Sequence, residues 1–183
     1  MRADAKTLLG ALSAVNAEAT ALCEGLTKDQ LAWRPHPAKW SIAENLIHLC
    51  TTTEVFIPAV DHAMMESRRR KLLDAGPFRL GWYGRLLVRY VEPPPLIRLP
   101  APRVLRPQMS GSPERALENF LASQSTMMLR MEHADGLNLT VLRFPSPLAS
   151  YIRMNLLEFF SVFNGHSRRH LWQAGNVRRA MLS

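Results

Sequence analysis

Apolar residues recur at helical spacing in four long segments of this chain. The first covers about residues 3–25, and the second begins at Ser41, which forms with Glu44 the serine–glutamate pair that caps a first helical turn. The third covers residues 112–136, between a Ser-Pro start and an Asp-Gly stop. The fourth runs from about Leu148 to the C-terminus. Because no strand alternation is convincing, the pattern predicts an all-α fold.

The segment between the second and third patterns, residues 68–112, interrupts this periodicity. Seven of the 13 prolines lie between Pro93 and Pro113, and such density favours an extended path. Upstream, residues 80–91 predict one short amphipathic helix. A connection of this length is expected either to carry a function or to cross the fold from end to end, which would let the second and third helices run parallel.

Length and composition narrow the class of protein. The 183 residues predict a single domain covering residues 1–183, and 47% hydrophobic with 21% charged residues is typical of a soluble globular protein. No apolar run approaches the roughly 20 residues of a membrane span, and we expect neither a transmembrane segment nor a signal peptide. Cys23 and Cys50 fit reduced, buried thiols, so a cytoplasmic location is expected.

The net charge of +8 belongs to one segment. Residues 68–106 contain ten basic and two acidic side chains, whereas the rest of the chain has thirteen of each. Such a segment fits a phosphate, nucleic-acid or anionic membrane partner, and it equally fits a solvated crossover; we favour the crossover. Trp82, Tyr83 and Tyr90 are expected to pack against the helices or a second subunit, and no specific nucleic-acid binding is expected.

His166 and His170 lie one helical turn apart in the fourth pattern. They continue an apolar stripe formed by Leu148, Ile152, Leu156, Phe159, Val162 and Phe163. Two imidazoles so placed can bind one divalent metal ion and leave positions for water or substrate. Two other interpretations stay open: core histidines satisfied by hydrogen bonds, and a surface patch shared with Arg168 and Arg169.

Three sequence runs together resemble the DinB/YfiT-like superfamily, and the resemblance covers essentially the whole chain. The runs are Leu31-Ala32-Trp33-Arg34-Pro35, then the segment WSIAENLIHL at residues 40–49, and then HSRRHLWQ at residues 166–173. The resemblance implies an up-down-down-up four-helix bundle, in many members a homodimer, with a long crossover between helices two and three. It also implies a divalent metal ion, zinc or nickel, held by three histidines that correspond here to His48, His166 and His170.

The residues alone leave His48 ambiguous. It falls away from the stripe of Ile42, Leu46 and Leu49, so it lies either at the rim of a pocket or on the surface. Glu44, one turn earlier, either caps its helix or orients His48, and capping is the more economical interpretation. The other histidines are expected on the surface: His36, His62 and His133.

The resemblance also implies a function. Family members with known activity include thiol-dependent S-transferases, isomerases and hydrolytic enzymes, so a metal-dependent S-transferase or hydrolase acting on a small molecule is expected, with a low-molecular-weight thiol as a candidate cosubstrate. The sequence presents no convincing general base, and the catalytic residues therefore stay unassigned. The alternative is a non-catalytic stress-response or binding protein whose metal site is structural or vestigial.

Overall fold

The computed structural model describes residues 3–74, 76–94, 100–108 and 112–182, so Pro95 and Arg98 of the crossover lie outside the described residues. This part of the chain is mostly helical. Its helices are α1 (Ala3–Cys23), α2 (Lys28–Ala32), α3 (Ile42–Arg69), α4 (Trp82–Val91), α5 (Ala116–His133) and α6 (Leu156–Leu182), with 3₁₀ turns at Arg103–Leu105 and Pro113–Arg115. Two short strands, β1 (Phe144–Ser146) and β2 (Ala149–Met154), form an antiparallel hairpin. Within these ranges, no helix has the length and apolar character needed to cross a membrane.

The predicted start of α3 is confirmed atom by atom. The Glu44 amide donates to the Ser41 hydroxyl at 3.1 Å, and the Ser41 amide donates to the Glu44 carboxylate at 2.9 Å. Arg34 binds the same carboxylate through its Nε at 2.7 Å, which compensates a carboxylate that is almost fully buried. The capping box of Ser41 and Glu44 therefore sets where α3 begins, and with it the position of His48 two helical turns later.

The predicted start of the fourth helix is wrong. Helix α6 begins at Leu156, and residues 149–154 are a strand, so Leu148 and Ile152 do not belong to its apolar stripe. The reason is a second capping box: Asn155 Oδ1 accepts from the Glu158 amide at 2.9 Å, and the Glu158 carboxylate accepts from the Asn155 amide at 3.0 Å. The expectation of no strands is corrected for the same segment.

The four long helices enclose the core. Helix α1 packs against α5 and α6, and α3 packs against the same two helices. Each contributes side chains with no exposed surface: Leu12, Leu46, Phe120 and Phe160. Because α3 is covered on two sides, its buried surface is wider than a single apolar stripe. A residue beside that stripe, such as His48, can therefore be buried.

The predicted short helix in the crossover is confirmed as α4, which packs on α6. Tyr83 and Tyr90 are half-buried, as expected, but Trp82 is 72% exposed and does not pack against the core. For Trp82 the prediction of packing on the helices is therefore wrong, while packing on a second subunit stays a prediction. Gly84 explains how closely α4 lies on α6, since an added Cβ would come within 2.8 Å of Glu158 Cγ.

Candidate metal centre

The structure brings His48 of α3 together with His166 and His170 of α6. One ring nitrogen from each histidine lies within 4.8 Å of the other two. His48 Nε2 is 3.3 Å from His166 Nε2, and the His170 ring centroid is 4.3 Å from that of His48 and 4.6 Å from that of His166. The three residues singled out in the sequence therefore form one cluster.

His48 is neither at a rim nor on the surface. It is 2% exposed and His170 is 7% exposed, whereas His166 is half-buried. The Trp40 ring covers one side of the cluster, with its centroid 4.9 Å from that of His48 and 5.7 Å from that of His170. The cluster lies where α3 and α6 meet. The side of α3 that carries His48, away from its apolar stripe, therefore faces a second helix and not solvent.

The surface-patch interpretation of the pair is also excluded. Arg168 pairs with Glu92 through its Nε at 3.1 Å, and Arg169 donates to the Tyr90 carbonyl at 3.2 Å. Both arginines therefore anchor the end of α4 on α6, and the two histidines that flank them in the sequence turn inward.

Hydrogen bonds decide which nitrogen of two rings is free. His48 Nδ1 lies 2.6 Å from the Leu105 carbonyl oxygen, which can only accept, so Nδ1 carries the proton. His170 Nδ1 lies 3.0 Å from Asn45 Oδ1, and Asn45 Nδ2 donates to the Ser41 carbonyl at 2.8 Å. That second bond fixes which end of the Asn45 amide faces His170, so His170 also donates through Nδ1. Both rings consequently turn an Nε2 lone pair towards the shared centre.

His166 is the exception in this arrangement. Its Nδ1 is buried and has no hydrogen-bond partner within the described part of the chain. A buried nitrogen without a partner costs free energy, so the ring is held by the surrounding packing and by its Nε2, which lies at hydrogen-bond distance, 3.3 Å, from His48 Nε2.

All three imidazoles are kept neutral. Burial lowers the pKa of His48 below its usual value of 6.5. Burial first, and then His48 and Arg169, lower the pKa of His166 to about 3. Burial, followed by the two neighbouring histidines and Arg169, lowers the pKa of His170 well below 6.5. Neutral imidazole is the form that binds a metal ion, so at neutral pH none of the three rings has to lose a positive charge first.

The donor set fits a tetrahedral divalent ion. Two nitrogens that each lie about 2.0–2.1 Å from zinc at the tetrahedral angle are about 3.3–3.4 Å apart. His48 Nε2 and His166 Nε2 are 3.3 Å apart. Three nitrogen donors within 4.8 Å of one another, one pair of them at this spacing, suit zinc or nickel better than the oxygen-seeking calcium or magnesium.

A cleft of about 760 Å³ lies beside the cluster, between α3 and α5. Val104 and Arg106 line it on either side of Leu105, whose carbonyl oxygen holds His48. Its remaining lining includes hydrogen-bonding side chains, such as Thr51, Glu54 and Asn119, and apolar ones, such as Ile47 and Ile57. The turn at Arg103–Leu105 therefore stands between this cleft and the histidines.

Three contacts of the cluster escaped the sequence interpretation. Asn45 lies three residues before His48, so a polar i, i+3 pair on a buried helix was the available signal. Trp40 and Leu105 gave none, because their positions depend on how the chain folds back over α3. Glu44 caps its helix, and His48 Nδ1 faces Leu105, so the idea that Glu44 orients His48 is wrong. His36, His62 and His133 are exposed, as predicted.

Comparison with protein-family models matches residues 11–174 to the model described as the DinB superfamily. No curated protein and no solved structure matches the chain.

Proposed function

This chain belongs to the DinB superfamily, and on that premise we propose that His48, His166 and His170 bind one divalent metal ion, zinc or nickel, through their Nε2 atoms. The observation that carries the proposal is the pair of Nδ1 hydrogen bonds, from His48 to Leu105 and from His170 to Asn45. Such bonds to the far nitrogen are the usual support of a metal-binding imidazole, because they fix the tautomer and the ring orientation.

The proposed activity is that of a metal-dependent S-transferase or hydrolase acting on a small molecule. Three neutral ligands would leave the charge of a bound divalent ion uncompensated, and such an ion would lower the pKa of a coordinated water or of a low-molecular-weight thiol. The protein's own part is to orient the rings through Leu105 and Asn45 and to exclude water through Trp40. The cleft beside Leu105 would hold a substrate next to the site, with Glu54 and Arg106 as charged contacts, and the turn at Arg103–Leu105 would have to shift for that substrate to reach the ion.

A structural role for the ion is the second candidate. The observation that favours it is the burial of His48 and His170, at 2% and 7% exposure. Structural metal sites are closed, whereas catalytic sites keep one position for water or substrate. In that case the protein would be a non-catalytic binding or stress-response protein.

We propose the up-down-down-up arrangement for the four long helices in a single domain. Support comes from two contacts at different positions along each helix pair. Helices α1 and α6 run the same way (Leu8 with Asn164, Ala21 with Arg178), α3 and α6 run oppositely (Asn45 with His170, Phe56 with Phe159), and α3 and α5 run the same way (Cys50 with Ser123, Asp61 with Arg130). The parallel α3 and α5 need the long crossover between them.

A homodimer and a cytoplasmic location complete the proposal. The first rests on the family resemblance, and light scattering on purified protein tests it. The second is supported by Cys23 and Cys50, which are both free thiols.

Metal content tests the site directly. After incubation with zinc or nickel and removal of excess ion, wild type should retain one ion per chain and His166→Ala should lose most of it. His62→Ala removes an exposed histidine of α3 and is the matched control, which should retain the ion. Equal retention by His166→Ala and wild type would overturn the assignment.

Turnover separates the two candidate functions. Metal-loaded protein is assayed with several thiols against electrophilic substrates and with hydrolysable esters and amides. Activity that is lost with the ion and in the triple histidine variant supports the enzyme. Activity that survives in the triple variant rules out metal catalysis, and tight metal binding without turnover but with a large gain in stability favours the structural role.

A further inference from the structure

Helix α4 turns an unusual face to solvent. Four of its residues, Trp82, Arg85, Leu86 and Arg89, are exposed, and their spacing of i, i+3, i+4 and i+7 puts them on one stripe, which we call the α4 outer stripe. Trp82 is 72% exposed and Leu86 is 57% exposed. The opposite face packs on α6, where Gly84 and Val91 make the close approach.

The stripe is held rigidly outward by contacts at both ends of α4. Near its start, the Arg143 guanidinium lies over the Tyr83 ring at 5.3 Å from the centroid. At its end, Glu92 pairs with Arg168 and the Tyr90 carbonyl accepts from Arg169. The exposure of Trp82 and Leu86 is therefore a property of a docked helix, not of a frayed one.

The charge of the stripe is uncompensated. Arg79, Arg85 and Arg89 are exposed, and none of them has an acidic partner within the described part of the chain. Glu92, the acidic residue closest in sequence to the stripe, is engaged by Arg168. Two large apolar side chains thus lie among guanidinium groups that no carboxylate neutralises in the described part of the chain; that of Arg85 donates only to the Leu80 carbonyl, at 2.8 Å.

We propose that the α4 outer stripe docks this protein on an anionic membrane surface. In that position α4 lies in the plane of the interface, Trp82 and Leu86 enter the headgroup layer, and Arg85 and Arg89 bind lipid phosphates. The combination of tryptophan, leucine and arginine on one helical face is what such a surface recognises, because it offers both apolar depth and negative charge.

Other occupants fit this stripe less well. A second copy placed on it by two-fold symmetry would gather the Arg85 and Arg89 guanidinium groups of both copies, four positive charges, in one contact, which like-charge repulsion opposes. Nucleic acid would bind the arginines but would leave Leu86 without an apolar partner along a phosphate backbone.

Vesicle sedimentation tests the proposal. Wild type is expected to bind vesicles of phosphatidylcholine with phosphatidylglycerol at low salt, to leave them as salt rises, and to bind phosphatidylcholine alone far more weakly. Removing Arg85 and Arg89 by substitution with Gln should weaken partitioning by about five-fold for each arginine. Leu86→Ser should weaken it too, and circular dichroism checks that each variant is folded.

Matched controls distinguish the stripe from net charge. Lys6→Gln combined with Lys39→Gln removes the same charge from exposed positions elsewhere, and Leu129→Ser removes an exposed leucine of α5. Both should bind vesicles nearly as wild type does. Tryptophan emission should shift to shorter wavelength on anionic vesicles, and Trp82→Phe should lose that shift while it retains binding.

Four results would overturn the proposal. They are no binding to anionic vesicles, equal loss in the lysine control and the Arg85–Arg89 variant, a dimer that Leu86→Ser dissociates, and DNA binding that persists at physiological salt and requires Arg85 and Arg89. The third would make the stripe a subunit interface, and the fourth would make it a nucleic-acid surface.

Discussion

Asn45→Ala separates the support of the metal site from the stability of the fold. Asn45 is 1% exposed and accepts from His170 Nδ1 at 3.0 Å. Its Nδ2 donates to the Ser41 carbonyl, which also accepts the Asn45 backbone amide at 3.2 Å. Substitution therefore leaves the carbonyl with a partner but leaves His170 Nδ1 buried without one.

The size of the effect follows from the loss of this one hydrogen bond to His170 Nδ1. One orphaned buried donor costs about 1–3 kcal/mol of folding free energy. Loss of the bond that orients a metal-binding imidazole costs about 10–100-fold in metal affinity, equivalent to about 1.4–2.7 kcal/mol. Asn45→Ala should thus lower stability measured in the presence of chelator and, separately, raise the Kd for zinc.

The assay is competition for zinc with a chromophoric chelator, together with urea unfolding of the metal-free protein. Asn155→Ala is the matched control, because it removes a buried asparagine that caps α6 away from the histidines. It should lose about 1 kcal/mol of stability and keep the wild-type Kd. If Asn45→Ala kept the wild-type Kd, or if both variants raised it equally, Asn45 would not be orienting His170.

Two further predictions concern the fold and its thiols. Gly84→Ala should lower the free energy of unfolding, measured with urea, by about 1–3 kcal/mol, because the new Cβ would lie 2.8 Å from Glu158 Cγ. In the control Gly10→Ala, in α1, the new Cβ meets nothing within 4 Å, and the free energy of unfolding should rise by about 0.5–1 kcal/mol. Equal effects of the two substitutions would contradict the close approach of α4. Burial raises the pKa of Cys23 and of Cys50 from 9.0 to about 11, so near neutral pH iodoacetamide should alkylate both about a hundred-fold more slowly in the folded than in the unfolded protein. The same shift stabilises the fold below pH 9.0, and this contribution is lost as pH rises towards about 11. A thiol that reacts as quickly in the folded as in the unfolded protein would contradict the burial of that side chain.

The parts of the fold that local chemistry determines could be predicted from the sequence. Ser41 and Glu44 cap α3 through residues three apart, and His166 and His170 share a face because they are four apart. The start of α6 also had a local signal, because Asn155 and Glu158 form a capping box like that of Ser41 and Glu44. However, apolar residues at helical spacing also precede this box, and they made the predicted helix begin earlier. Pairing with β1 overrode that spacing, and pairing is not a local property.

The parts that depend on the crossover could not be predicted. His48 owes its burial to α6 and its fixed tautomer to Leu105, which lies 57 residues further along the chain. The exposure of Trp82 could not be predicted for a similar reason. Its helix was predictable, but the face of α4 that meets α6 depends on where Gly84 permits close approach. A helical wheel treats one helix at a time, so it cannot show a side chain that faces a second helix.

X-ray absorption at the zinc edge of the zinc-loaded protein tests the central claim most directly. Three imidazole nitrogens should appear about 2.0–2.1 Å from the ion, with the outer-shell scattering typical of histidine rings, and His166→Ala should reduce the imidazole count. A sulfur scatterer at about 2.3 Å, or a shell of oxygens without imidazole scattering, would contradict the three-histidine centre.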